Sequence, residues 1–110
     1  MIKVMWLVKR AEHLTLEEFR KYWLEVHGPM ALKLPGIRRY VQSHLIDEAY
    51  LYATPRFDGV AQLWFDSVEA FAAAFASPAG NDLLADGRVF IDAPRMTFFM
   101  AQEHIQIASR

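Results

Sequence analysis

Residues 19–45 read FRKYWLEVHGPMALKLPGIRRYVQSHL, and this stretch decides the fold because its hydrophobic period changes at a Pro-Gly pair. Before the pair, Phe19, Trp23, Val26 and Met30 recur at helical spacing, and Leu16 extends the series back towards Thr15 and Glu18, which together form a capping box. Glu17, Lys21 and Glu25 stand four apart with alternating sign, the pattern of a solvated helix face. Pro29 has no N–H to give the carbonyl of Glu25, and its ring collides with that carbonyl. The helix is therefore expected to end or kink at Gly28 and Pro29, with a short second piece running on to Leu34. Pro35 and Gly36 then make a turn, and Ile37 to Asp47 alternates as a strand does. Ile37, Val41 and Leu45 point to one side of it, expected to be the side under the helices; Tyr40, Gln42, His44 and Ile46 point to the other.

Working outward, Ile2 to Lys9 (IKVMWLVK) is a β-branched and aromatic run too short for a capped helix, and it reads as a strand buried on both faces. Glu48 to Asp58 has no period and reads as a long hairpin connection. Gly59 to Phe65 is a third strand, with Val60, Gln62 and Trp64 opposite Ala61, Leu63 and Phe65. Asp66 and Glu69 repeat the N-cap and N3 pattern ahead of an Ala-rich helix that runs to Ala76, Ser77 and Pro78 start another helix, and Arg95 to Glu103 is a fourth strand. The order β-α-β-β-α-β, with an extra helix in the second crossover, is an α+β, ferredoxin-like arrangement. It implies an antiparallel four-stranded sheet with its helices on one face, in a single domain over residues 1–110. The other face needs a cover, because Tyr40, Gln62, Trp64 and much of the last strand are too apolar to be left wet. Two such sheets packed face to face would close a barrel across a homodimer axis.

Composition supports that expectation and removes several function classes. Hydrophobic residues make up 54% of the chain, and adding its 5 glycines raises the apolar share to about 58%, above the 45 to 50% usual for soluble domains. A folded monomer of this mass exposes roughly 6,200 Å² against roughly 18,400 Å² unfolded, so a substantial core is available and the apolar excess points to a subunit interface or a ligand cavity. A net charge of -1 with scattered Lys and Arg lacks the basic footprint of a nucleic-acid binder. Without cysteine there is no disulfide framework and no thiolate nucleophile. No apolar run approaches the ~20 residues of a membrane span, so the expected location is the cytoplasm and no membrane partner is foreseen. No metal signature, Gly-rich phosphate loop or dinucleotide fingerprint occurs, so no cofactor is expected.

His27 is the first candidate for chemistry. It falls in the apolar arc of the first helix, four residues after Trp23 and directly before the Gly28-Pro29 break. A histidine on an apolar face is more often a satisfied core residue than a catalyst. Free carbonyls at a helix end favour the imidazolium and burial opposes it, which suits a proton shuttle near neutral pH; the structural rival is an imidazole that only caps the broken helix. Tyr40, Gln42 and His44 share one strand face with Gln62 on the neighbouring strand, and become donors and acceptors for a ligand if that face lines a cavity. Asp92, Arg95, Arg38 and Arg39 are read as surface ion pairs, and His13 and His104 as peripheral.

The string FRKYWLEVHGPMALKLPGIRRYVQSHL, with FDGVAQLWFDSVEAFAAAFASP after it, resembles the EthD-like family of the dimeric α/β-barrel superfamily. The ordered set Trp23, His27, Pro29, Pro35, Gly36, Tyr40, Gly59, Trp64 and Phe65 carries the resemblance, which covers essentially the whole chain. It implies a ferredoxin-like subunit whose sheets pair into a dimeric barrel with an apolar cavity, faced by His27 and Tyr40. Relatives of that family include a protein of an ether-degradation system, methylmuconolactone isomerases and fungal polyketide-pathway enzymes. The leading expectation is a cofactor-independent isomerase, cyclase or lyase acting on a small hydrophobic cyclic or aromatic carbonyl or lactone compound. His27 would be its acid–base and Tyr40 would polarise the substrate oxygen, with Trp23, Gln42, His44, Gln62, Trp64 and Phe98 binding the substrate. The alternatives are a non-catalytic small-molecule binding protein serving a partner oxidase, and a cofactor-free monooxygenase.

Overall fold

A computed structural model describes all 110 residues. Four strands, β1 (Ile2–Val8), β2 (Arg39–His44), β3 (Gly59–Phe65) and β4 (Thr97–Ala101), form one antiparallel sheet in the order β2-β3-β1-β4. The helices are α1 (Leu16–Tyr22), α2 (Gly28–Ala31), a short α3 (Ala49–Tyr52), α4 (Val68–Ala76) and α5 (Pro78–Phe90). This is the ferredoxin-like α+β arrangement, with the extra helix in the second crossover. No helix is long and apolar enough to cross a membrane.

Pro29 does not end the helix. Between α1 and α2 lies a π-helical turn, Trp23–His27, in which the Gly28 N–H reaches back five residues to the Trp23 carbonyl. The wider turn accommodates a residue that cannot make the ordinary bond, so the chain stays helical to Ala31. Thr15 and Glu18 cap α1 reciprocally, at 3.1 and 2.9 Å. For α4 the N-cap is Ser67 and not Asp66: the Ser67 hydroxyl accepts from Ala70 N–H, while Asp66 takes a two-pronged bond from Arg38. Ser77 closes α4 and caps α5, with Pro78 in the first turn where its missing N–H costs nothing.

The strand edges are shorter than the alternation implied. β1 stops at Val8, β2 spans six residues and β4 five, and the connection from Glu48 to Asp58 contains α3. That connection is tied down by Asp58, which is 2% exposed and accepts from the Arg10 N–H and the Tyr50 hydroxyl, each at 2.7 Å.

Val4, Trp6, Val8, Ala61, Leu63 and Phe65 face the helices. The register sets Tyr40 opposite Leu63, Gln42 opposite Ala61 and His44 opposite Gly59, so all three lie under the helices and not on the open face. Their sharing of one face stands; the assignment of that face is reversed. Val41 lies on the open side, while Ile37 packs in the core from the turn that precedes β2. Gln62 and Trp64 point away from Tyr40: the Lys3 ammonium donates to Gln62, and Trp64 is covered by the Arg39 guanidinium and donates its indole N–H to Glu103 at 2.5 Å. The rest of the open face carries Met5, Leu7, Val41, Val60 and the half-exposed Phe99.

One close approach fixes the helix on the sheet. A Cβ on Gly59 would stand 2.5 Å from the Trp23 ring and 2.7 Å from the Ser43 carbonyl oxygen, so only glycine lets the indole lie on the start of β3. Gly59→Ala is expected to lose at least about 2 kcal/mol of unfolding free energy in urea, as overpacked cores do. Gly87→Ala, whose new methyl would have its nearest neighbour at 4.0 Å, is expected to gain about 0.5–1 kcal/mol in the same assay.

Candidate functional site

A cavity of about 210 Å³ lies between the sheet and the helices. Its walls include Trp6, Ala61 and Leu63 from the sheet, Trp23 and Ala31 from the first helical segment, Leu83 in the middle of α5 and Ile91 just after it. Thirteen of its sixteen lining residues are hydrophobic, and His27 and Tyr40 are both on the wall. The chamber is therefore inside the subunit and not between two sheets.

His27 is positioned by a partner on α5. Its Nδ1 lies 2.8 Å from Asp86 Oδ2, and the Tyr22 hydroxyl donates to the other carboxylate oxygen at 2.6 Å. The ring also packs on Phe90, centroid to centroid at 4.7 Å. Burial lowers the His27 pKa below 6.5, and the Asp86 carboxylate only partly offsets it. The neutral ring therefore donates Nδ1–H to Asp86, and Nε2 carries a lone pair with no protein partner. No backbone carbonyl takes the imidazole as a cap, so the rival reading of His27 as a helix cap does not describe its contacts. The Tyr22 phenol, bonded to Asp86, is pushed up to about 12 and stays a donor. An imidazole held this way can take a proton at Nε2, and the adjacent carboxylate stabilises the imidazolium that results.

Tyr40 is set by a second network. Gln42 Nε2 donates to the Tyr40 hydroxyl oxygen at 2.7 Å and to the Trp23 carbonyl at 2.8 Å. That carbonyl belongs to the π turn, and Gly28 leaves room for the amide: a Cβ there would lie 2.9 Å from Gln42 Nε2. His44 Nε2 meets Gln42 Oε1 at 2.7 Å, and its ring stacks on Trp23 at 4.3 Å. With its oxygen already accepting, the Tyr40 hydroxyl has a proton left to give. Burial pushes its pKa up, with Gln42 and Trp23 opposing, so it is a neutral donor.

The structure thus brings Trp23, His27 and Tyr40 to one cavity, with Gln42 and His44 a layer behind. Gln62 and Trp64 are on the other sheet face, and Phe98 packs behind Trp6 at 5.0 Å without lining the chamber. Of the charged residues read as surface pairs, Arg38 pairs with Asp66 and Arg95 with Asp92, while Arg39 lies over Trp64. Asp86 and Tyr22, which hold His27, carry no motif of their own. The signal for Asp86 was present: it falls between Leu83 and Phe90 on the apolar stripe of α5, where a carboxylate needs a partner. No three His, Asp or Glu side chains converge as a metal site.

The two lowered imidazoles make stability depend on pH. His44 is also held below 6.5, by burial and by the nearby Arg20. The folded chain binds fewer protons here than the unfolded chain, so this stabilisation is fully present above about pH 6.5 and is lost as the pH falls below it. Urea unfolding across that range is expected to show the decline, and to show a shallower one in His27→Asn and in His44→Asn.

The EthD domain model matches residues 11–94. A 4-carboxymethyl-4-methylbutenolide mutase of Pseudomonas reinekei is 28% identical over 96 residues, 83% of this chain and 89% of the mutase. Among solved structures, an EthD family protein of Bacillus halodurans superposes with a TM-score of 0.79 at 19% identity, covering 94% of this chain and 99% of that one. A dimeric ferredoxin-like protein of unknown function from Thermobifida fusca gives 0.71 at 13% identity, over 91% and 88% of the two chains. With the family model spanning the first helix, most of the cavity wall and Asp86, the chain belongs to the EthD family.

Proposed function

We propose that the protein is a cofactor-independent acid–base catalyst of an isomerisation, cyclisation or elimination on a small cyclic carbonyl or lactone compound. The observation that supports this best is a His27 anchored through Nδ1 on Asp86, with Nε2 left unpaired, on the wall of an apolar chamber that Tyr40 shares. In an isomerisation, Nε2 takes a proton from carbon next to the carbonyl. The C–H electron pair becomes a carbon–carbon double bond as the carbonyl π pair moves onto oxygen, and the enolate oxygen so formed accepts the Tyr40 O–H. Where a ring double bond is conjugated with this enolate, the imidazolium, paired with Asp86, returns the proton to the far carbon of the conjugated system, so the double bond moves and no oxidant or reductant is consumed. The similarity to a butenolide mutase supports a lactone as the first substrate class to try.

His27→Asn is expected to fold and bind lactones as the parent does, yet to lose roughly two to four orders of magnitude in turnover, and Tyr40→Phe roughly two to three. The measurement is turnover on a panel of butenolides, quinones and ring aldehydes. Binding without any His27-dependent turnover would favour a small-molecule binding protein instead.

We also propose that the working unit is a homodimer joined through the open sheet face. Phe99 is 50% exposed there among other apolar side chains, and the single chain exposes 7231 Å², above the roughly 6,200 Å² of a compact monomer of this mass. Sedimentation equilibrium at micromolar concentration should give twice the chain mass, and Phe99→Asp should shift it towards the monomer.

A further inference from the structure

One lining residue of the cavity has no role in the scheme above. Beside the thirteen hydrophobic residues, the wall holds only His27, Gly87 and Arg88. Arg88 is thus the sole permanent charge on an otherwise apolar chamber. It is solvent-exposed, as is its neighbour Leu84 at 45%, so the two stand where the chamber meets water.

Arg88 takes part in none of the ion pairs of the fold. The acids nearest to it along the chain are engaged elsewhere. Both oxygens of Asp86 are held, by Tyr22 and His27, and Asp92 pairs with Arg95 at 3.4 Å. A guanidinium offers a planar fork that matches a carboxylate and is weakly hydrated, so an unpaired one at an apolar mouth is suited to an anionic ligand. Its bland role is to complement the C-terminal dipole of α5, since it lies in the last turn.

We infer that Arg88 is a specificity residue that binds a carboxylate at the cavity mouth, and that the compound taken is a single-ring, apolar monoanion. The ring enters the chamber and the carboxylate stays at the rim. The chamber volume of about 210 Å³ lies below the roughly 300–1,000 Å³ usual for small-molecule pockets, which suits one ring with a short arm. The inference rests on the reading of the cavity as the substrate chamber, and it adds the charge of the substrate and the end by which it is held.

Trp6 and Trp23 stand in the wall, so tryptophan fluorescence reports occupancy directly. The probes are phenylacetate and its neutral methyl ester, titrated against the parent, Arg88→Gln and Arg88→Lys. The parent is expected to bind the acid about ten-fold more tightly than the ester, Arg88→Gln to lose on the order of ten-fold for the acid alone, and Arg88→Lys to keep part of the preference. Added salt should weaken the acid and spare the ester. Equal binding of acid and ester by the parent, or an Arg88→Gln variant that melts lower but keeps its acid affinity, overturns the inference and leaves the chamber reading intact. If neither probe perturbs the parent at millimolar concentration, both fail together.

Discussion

The ring of Pro29 excludes an ordinary helical bond to the carbonyl four residues earlier, and much of the site depends on how the chain answers. It widens by one residue and does not break. A π turn shifts every later side chain by about 100° relative to an uninterrupted α-helix, and such turns recur at functional sites. Here the shifted segment carries His27 against Asp86 on α5, and the Trp23 carbonyl receives the Gln42 amide beside the Gly28 N–H. His27 and Tyr40, one from a helix and one from a strand, are thus held on the cavity wall by networks that meet at the same turn.

Glycine makes that arrangement affordable on both sides. Gly28 admits the Gln42 side chain to the helix backbone, and Gly59 admits the Trp23 ring to the sheet. Trp23, Phe19 and Phe90 are at most 1% exposed, and each contributes on the order of 1.5–3 kcal/mol from burial. The aromatic cluster thereby fixes the helix that carries His27, while the chamber beside it stays open. The neutral imidazole is a product of the same packing: the apolar surroundings that hold it in place also favour its uncharged form.

Much of this was legible in the residues. Thr15 and Glu18 marked the start of the first helix, the bounds of β3 followed from its alternation, and Tyr40, Gln42 and His44 were rightly set on one face. Which face was not legible. A period of two states that neighbours point apart, but the side that meets the helices is chosen by tertiary packing, here by Trp23 stacked on His44. Ile37 misled because it packs in the core from the turn before β2, outside the alternation. Likewise Pro29 announces a conflict in the helix, and no local rule says whether the chain breaks or widens. Asp86 was visible only as a carboxylate on an apolar stripe, and its partner lies 59 positions away in sequence.

The proposed chemistry requires that His27 rest as a neutral ring with its proton on the Asp86 side and its lone pair on the cavity side. Nitrogen NMR spectra of the isotopically labelled protein, taken at about pH 7.5, distinguish the two neutral tautomers from the imidazolium. The expected spectrum shows a His27 ring protonated at Nδ1 and bare at Nε2, with the Nδ1 proton shifted by its bond to Asp86 and released from that shift in Asp86→Asn. A His27 that is doubly protonated at that pH, or that carries its proton on Nε2, would contradict it.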